Sequence, residues 1–295
     1  MNKLGAQCQM RKGDLLEYCR IVRPEAAMGI MVQDRAFYEE LRQLSVRPVY
    51  RHWPNWWWND PERHAREAVG SLVQEVAGFR DLLAYVLDNN EYIYSFNEAE
   101  IPIADRFASS FIAGVHEWLP GIHAIVLNLN TGHFRDDILK FPKTLAALDD
   151  CGVCRLGWHE YGWPTMYQQY CDGLAEGNDG MWHTLRWKAA MKAIKGAGYK
   201  NVKIAITECG IDGGVIPGQD NLGWRKTHSD FGTAMANCLR SWAWYIDALE
   251  RDDDVDFALA YGCGLNDDWR GKGFDLHGTG IPQWIANYKI YPEVR

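Results

Sequence analysis

Short apolar runs, rich in β-branched and aromatic residues, alternate along this chain with longer segments of helical spacing. A short continuous apolar run is typical of a buried strand, whereas apolar residues at every third or fourth position are typical of an amphipathic helix. Eight runs predict strands, at residues 3–10, 26–32, 46–53, 92–98, 122–130, 153–161, 202–208 and 256–263.

Helical patterns separate successive strands. They predict helices at 14–20, 34–44, 62–88, a segment ending at 118, 136–149, 181–195 and 230–249. A βα unit repeated eight times predicts an α/β fold, a single (β/α)8 TIM barrel over residues 1–295. An open doubly wound sheet is the alternative. It is disfavoured because no strand is followed by the Gly-x-Gly-x-x-Gly turn of a nucleotide site.

Length and charge narrow the class of protein. The 295 residues suffice for one barrel, which commonly needs ~250. The net charge of −8 argues against a nucleic-acid partner, which requires a basic face. No run approaches the ~20 apolar residues of a membrane span, and no secretory signal is recognisable at the start. We therefore expect a cytoplasmic protein, or one released by lysis, with no membrane partner.

The eight cysteines are scattered through apolar runs, which predicts reduced thiols rather than a disulfide framework. Cys151 and Cys154 form a single Cys-x-x-Cys pair without a second pair, so the spacing does not predict a zinc site.

Polar and aromatic residues end four of the predicted strands. In a TIM barrel these ends share one rim, where the chemistry takes place. Two carboxylates across a barrel mouth can serve as an acid/base and a nucleophile at a glycosidic bond. The candidate side chains at these ends are Arg51, His52, Trp53, Asn97, Glu98, His159, Glu160, Tyr161 and Glu208.

The arrangement resembles the superfamily of retaining glycosidases built on a (β/α)8 barrel, clan GH-A. That superfamily places an Asn-Glu pair at the end of strand 4 and a second glutamate at the end of strand 7. Here Asn97-Glu98 ends the fourth predicted strand and Glu208 ends the seventh. The chain departs from well-known members in two places. Ala99 follows the Asn-Glu pair where proline is common, and Tyr261 lies near the end of strand 8 where many members have tryptophan.

The resemblance implies a role for each of these residues. Glu98 would be the acid/base, with a pKa raised by Glu208 and by partial burial. Asn97 would bind a hydroxyl of an oligosaccharide or polysaccharide substrate. Glu208 would be the ionised nucleophile that forms a glycosyl ester. No cofactor or metal is expected.

Glu160 is a third carboxylate at the rim. Strand alternation places it on the face opposite His159 and Tyr161, although a bulge would change that assignment, so it stays among the candidate binding residues. We expect His159 and Tyr161 to orient the nucleophile, and we expect the positive charge of Arg51 to stabilise its ionised form. The alternative role for each of the three residues is packing.

The chain has 14 tryptophans and 14 tyrosines, and exposed rings stack on sugar faces. Trp53, Trp57, Trp163 and Tyr261 are candidates for stacking; the alternative for the loop that contains Trp57 is packing on the helix that follows it. Two other functions stay open. One is a carbohydrate-binding barrel without turnover, and the other is a metal-dependent hydrolase, which is disfavoured because no strand ends in His-x-His.

Overall fold

The computed structural model describes residues 2–52, 59–88, 98–133, 137–167 and 183–288. Eight parallel strands pair in chain order, and the last pairs with the first to close a barrel. This confirms the TIM barrel. The strands are β1 (Leu4–Cys8), β2 (Ala26–Ile30), β3 (Arg47–Arg51), β4 (Tyr85–Leu87), β5 (His123–Leu129), β6 (Arg155–Gly162), β7 (Ile204–Ile211) and β8 (Val255–Ala260).

Helices cover the outside of the barrel. They are α1 (Lys12–Val22), α2 (Arg35–Gln43), α3 (Pro61–Glu75), α4 (Ile101–Trp118), α5 (Pro142–Cys151), α6 (Trp187–Gly196), α7 (Phe231–Glu250), α8 (Asp267–Gly271) and α9 (Ile281–Asn287). Short 3-10 turns lie at Arg80–Leu82, Ile138–Lys140, Gly213–Val215 and Trp224–Lys226. Within the described ranges, no helix combines the length and apolar character needed to cross a bilayer.

The fourth strand differs from the sequence prediction. Tyr85–Leu87 forms β4, whereas the sequence pattern placed this strand at 92–98 and assigned these three residues to a long helix. The helix ends at Glu75. Buried apolar residues continue past that end at helical spacing, at Val76, Phe79 and Leu83, because the turns after the helix also pack on the core. The periodicity therefore concealed a strand of three residues. Residues 92–97 lie outside the described ranges.

The core has two layers, as strand alternation requires. One set of side chains fills the barrel, including Met28, Val49, Ile125 and Phe257, and the other set packs between strands and helices. The filled interior makes the barrel a packed core rather than a pore. The seven cysteines within the described ranges are free thiols.

An ion cluster closes the end of the barrel where the strands begin. Asp256 accepts hydrogen bonds from Arg47 at 3.0 and 3.1 Å, from Arg155 at 2.8 Å and from the hydroxyl of Tyr85 at 3.1 Å. Burial raises the pKa of Asp256, but the two guanidinium groups outweigh it and bring the pKa to about 2. The folded state is therefore stabilised by the ionised form of Asp256.

We expect Asp256→Asn to lower the free energy of unfolding by about 2–4 kcal/mol at pH 7, because two arginines lose their shared counter-ion. The ordinary pKa of 3.8 falls to about 2 on folding, so this stabilisation is present above pH ~4 and is lost as the pH falls through 2. Urea unfolding at several pH values measures it, and the difference between the variant and the wild type should shrink below pH 4. The exposed Asp253→Asn is the matched control, with a change under about 0.5 kcal/mol.

Candidate active site

Glu208 lies near the carboxyl end of β7 with its side chain directed into a cavity at that end of the barrel. One of its oxygens, Oε1, accepts a hydrogen bond of 2.7 Å from Arg51 at the end of β3. The other, Oε2, accepts one of 2.9 Å from the hydroxyl of Tyr161 on β6. The residue is 8% exposed. Both carboxylate oxygens thus have a fixed donor, which orients the group toward the cavity.

Tyr161 acts as a donor because its phenol stays protonated. Burial raises its pKa well above the ordinary value of 10, and the negative charge of Glu208 raises it further. His159 is buried nearby, with Nδ1 3.7 Å from Oε2 of Glu208. His159 and Tyr161 thus lie on the same side of β6 as Glu208, and their roles at the site stay a prediction.

The cavity has a volume of about 690 Å³. Arg51, Tyr161, Glu208 and Tyr261, all sequence candidates, line it. Loop and strand-end residues that the sequence analysis did not single out also line it: Gln9, Ile30, Met31, Asn130, Thr131, Asp212, Gly214, Val215, Asn221 and Trp269. Polar groups beside aromatic rings in one concave site are the usual composition of a binding pocket for a polar organic ligand.

Aromatic side chains form one wall of the cavity. The ring of Trp269 in α8 packs edge-on against Tyr261 and Phe274, with centroids 5.4 Å apart in each pair. Lys272 Nζ lies 4.4 Å from the centre of the Trp269 ring. Gln9 donates a hydrogen bond of 3.2 Å to the hydroxyl of Tyr261. These contacts make a packed aromatic wall, and a role of Tyr261 in stacking on a sugar stays a prediction.

Asp212 is a second carboxylate in the cavity wall, just after β7. Its Oδ1 accepts a hydrogen bond of 2.8 Å from the backbone N–H of Gly214, in the 3-10 turn Gly213–Val215. Burial raises the pKa of Asp212 to about 6, and the nearby charge of Glu208 acts in the same direction against the backbone hydrogen bonds. Asp212 could have been noticed from its position four residues after Glu208, since strand alternation gives both the same face.

Glu160, a candidate binding residue, is not among the residues that line the cavity. Its side chain is completely buried on the outer face of β6. It accepts hydrogen bonds from the backbone N–H groups of Leu185 at 2.7 Å and Arg186 at 3.0 Å, and from the hydroxyl of Tyr245 at 3.0 Å. Burial raises its pKa to about 7, although Arg186 opposes the shift. Glu160 therefore fastens the start of α6 to the barrel.

Other candidates lie apart from the cavity or outside the described ranges. His52 is buried with Nδ1 2.9 Å from Oε2 of Glu75 at the end of α3. Trp163 is partly buried and packs on the outer core layer. Trp53, Trp57 and Asn97 lie outside the described residues.

Glu98 has an environment different from the expected one. It lies three residues before α4, and its side chain is 74% exposed. Lys140 Nζ is 2.8 Å from its Oε1, and this hydrogen bond and charge lower the pKa of Glu98. The expectation of a raised pKa was wrong, because it assumed a strand end beside Glu208. The assignment of Glu98 as the acid/base stays a prediction.

The corrected position of β4 draws attention to a second Asn-Glu pair. Asn90 and Glu91 are the third and fourth residues after Leu87, the last residue of β4, whereas Glu98 is the eleventh. Both Asn90 and Glu91 lie outside the described residues. The misplaced strand concealed this pair in the sequence analysis.

The chain is similar to known proteins in structure but not in sequence. No protein-family model matches the chain, and no curated protein sequence matches it. A GH113 β-1,4-mannanase superposes with a TM-score of 0.57 at 10% identity, covering 97% of each chain. A glucosidase from Croceicoccus marinus gives 0.56 at 11% identity over 96% of this chain and 66% of its own. The exo-β-1,4-mannosidase Op5Man5 from Opitutaceae bacterium strain TAV5 gives 0.54 at 11% identity, over 97% and 59%.

The similarity establishes the fold. These neighbours are glycosidases, in agreement with the resemblance seen in the sequence. This chain spans less than two thirds of the length of the glucosidase and of the mannosidase, and nearly all of the mannanase.

In the part of the chain that the structure describes, no group of three or more His, Cys, Asp or Glu side chains is arranged to hold a metal ion.

Proposed function

We propose that this protein is a retaining glycoside hydrolase in which Glu208 is the nucleophile. One observation carries the proposal: a carboxylate at the carboxyl end of a barrel strand, fixed at both oxygens by Arg51 and Tyr161, faces a cavity of about 690 Å³. That cavity is large enough for one or more sugar rings. The glycosidase neighbours support the reaction class by their fold.

In the proposed first step, Oε1 or Oε2 of Glu208 forms a bond to the anomeric carbon while the bond from that carbon to the leaving oxygen breaks. A general acid gives its proton to the leaving oxygen. In the second step the same group, now a base, takes a proton from water, and the water oxygen displaces Glu208 from the sugar. Two inversions at the anomeric carbon retain its configuration.

Arg51 and Tyr161 set the charge environment and the orientation of the proposed nucleophile. They neutralise and orient the carboxylate before attack, and they hold it as a leaving group when the ester is hydrolysed. Because both donors come from other strands, the position of Glu208 depends on the barrel rather than on a loop.

We assign the general acid to the segment between β4 and α4, which contains both Asn-Glu pairs. Glu91 is favoured over Glu98 for two reasons. It follows the end of β4 closely, and Glu98 is exposed and held ionised by Lys140, so that Glu98 lacks a proton to donate at neutral pH. Glu98 is retained as the second candidate.

A mechanism-based label tests the nucleophile. We expect a 2-deoxy-2-fluoroglycoside with a dinitrophenyl leaving group to form a long-lived ester, because the fluorine slows both steps and the dinitrophenyl group accelerates only the first. Both gluco and manno forms should be used, since the structural neighbours act on glucosides and mannosides by name. Peptide mapping by mass spectrometry should find the sugar on Glu208. A label on Asp212 instead, at the same stoichiometry, would overturn the assignment.

A further inference from the structure

β5 and β7 each have one extra residue, relative to β6 between them, at one point in the pairing with β6. Along β5, Val126 pairs with Leu156 and Leu129 with Trp158, so three steps on β5 match two on β6. Along β7, Ile206 pairs with Trp158 and Glu208 with His159, so two steps on β7 match one on β6. Such extra residues are β-bulges, which re-aim side chains and are frequent beside active sites.

The bulge in β5 has an unfavourable backbone. Leu127 and Asn128 have backbone φ angles of 73° and 37°. These angles lie in the left-handed region, which residues other than glycine adopt uncommonly. Strain of this kind persists where the surroundings impose it. Here Asp88, the residue after β4, accepts hydrogen bonds from the backbone N–H of Leu127 at 3.1 Å and from Nδ2 of Asn128 at 3.0 Å. Asp88 and Asn128 are fully buried.

The two bulges are joined to each other. Oδ1 of Asn128 accepts a hydrogen bond of 2.7 Å from the hydroxyl of Thr207, which is also fully buried. Gly157 of β6 lies between the two side chains, and a Cβ at this glycine would lie 2.3 Å from Oδ1 of Asn128. The absence of a side chain at Gly157 therefore allows β5 to contact β7 across β6. We call Asp88, Asn128 and Thr207 the bulge clamp.

The bulge in β7 matters for Glu208. In a regular strand, consecutive side chains point to opposite faces, so Thr207 and Glu208 would be separated by the sheet. Here both point inward, Thr207 to Asn128 and Glu208 to Arg51 and the cavity. Cys209, the next residue, returns to the outer layer of the core.

We infer that the bulge clamp positions the nucleophile, with Thr207 as a positioning residue that acts through the backbone of Glu208. The inference rests on the proposed function for its effect on catalysis, but the geometry of Glu208 can be tested without it. Loss of the Thr207 hydroxyl should allow β7 to shift at the bulge and move the carboxylate of Glu208 away from its two donors. A misplacement of about 1 Å can lower a rate by ~100-fold.

The test compares three variants. Thr207→Val removes the hydroxyl with little change in shape, and Thr207→Ser keeps it. The third variant, Thr144→Val, removes another buried hydroxyl near the start of α5, which donates a hydrogen bond of 3.0 Å to the carbonyl of Asp105. We expect Thr207→Val to lower kcat by ~10- to 100-fold with KM within ~3-fold, and the other two variants to keep kcat within ~3-fold. Crystal structures of the wild type and of Thr207→Val should show the bond of Glu208 with Tyr161 present in the first and broken in the second.

The outcomes separate this inference from the proposed function. Unchanged kcat and an unmoved Glu208 in Thr207→Val would overturn the positioning role, as would an equal loss in Thr207→Ser. If Glu208→Gln kept the wild-type rate, the proposed function would fail. The position of Glu208 in the Thr207→Val crystal structure would still decide the inference.

Discussion

Replacing Glu208 by glutamine is expected to lower kcat on an aryl glycoside by at least about four orders of magnitude, or about 5.4 kcal/mol of transition-state stabilisation. Glutamine fills nearly the same space but is a far weaker nucleophile, so the glycosyl ester does not form. Initial rates with aryl β-glucosides and β-mannosides measure the effect. Adding azide to Glu208→Ala should restore turnover, because a small anion can occupy the space of the lost carboxylate.

The configuration of the rescued product identifies the role of Glu208. Azide attacking directly in place of Glu208 gives a glycosyl azide of inverted configuration, as expected for a lost nucleophile. Glu160→Gln is the matched control, since Glu160 is a buried carboxylate on the opposite face of the neighbouring strand. That variant should lose stability and keep kcat. Wild-type turnover by Glu208→Gln would contradict the proposed mechanism and favour another chemistry, whereas the absence of turnover in the wild type itself would favour a carbohydrate-binding barrel.

The second large effect is expected at the general acid. Glu91→Gln should lower kcat/KM by ~10²- to 10⁴-fold for substrates whose leaving group needs a proton, and much less for a dinitrophenyl glycoside, whose leaving group departs without one. Glu98→Gln should stay within ~3-fold of the wild type on both substrates, because its side chain is exposed and paired with Lys140. Rates on a series of aryl glycosides with different leaving-group pKa values distinguish the two variants.

The two variants together decide which of the two Asn-Glu pairs contains the general acid. The opposite result, with loss in Glu98→Gln and normal rates in Glu91→Gln, would show that Glu98 leaves Lys140 and reaches the substrate. In that case Lys140→Ala should shift the basic limb of the pH–rate profile to higher pH, because Glu98 must be protonated to act as the acid and Lys140 lowers its pKa.

The fold could be predicted from the sequence because most strands are short, apolar and bounded by clear turns. The fourth strand was misplaced because Tyr85–Leu87 is only three residues long and follows apolar residues that continue the spacing of α3. A signal of three residues is too short to compete with a periodic pattern. Closure of the barrel, rather than local sequence, fixes this strand between β3 and β5.

The candidate site was predictable where it depended on strand alternation. The common face of His159 and Tyr161 follows from a period of two, and the count of strands along the chain placed Glu208 on β7. Asp212 was missed because the predicted strand ended at Glu208, so the alternation was not continued four residues further. Trp269 was missed because it comes from the segment after β8, where no strand periodicity indicates which side chains turn toward the cavity. The bulge at Thr207 was also beyond sequence reasoning, since a bulge is defined by the pairing of two strands.

The ion cluster of Arg47, Arg155 and Asp256 has a consequence for the proposed reaction. Together with the packed interior above it, this cluster closes the end of the barrel opposite the cavity within the described residues, so substrate, water and product would share the cavity mouth. In the proposed mechanism the aglycone would then depart before the hydrolytic water reaches the ester, and a released sugar would occupy the space that the next substrate needs. If the proposed function holds, rising product concentration should therefore slow turnover by direct competition.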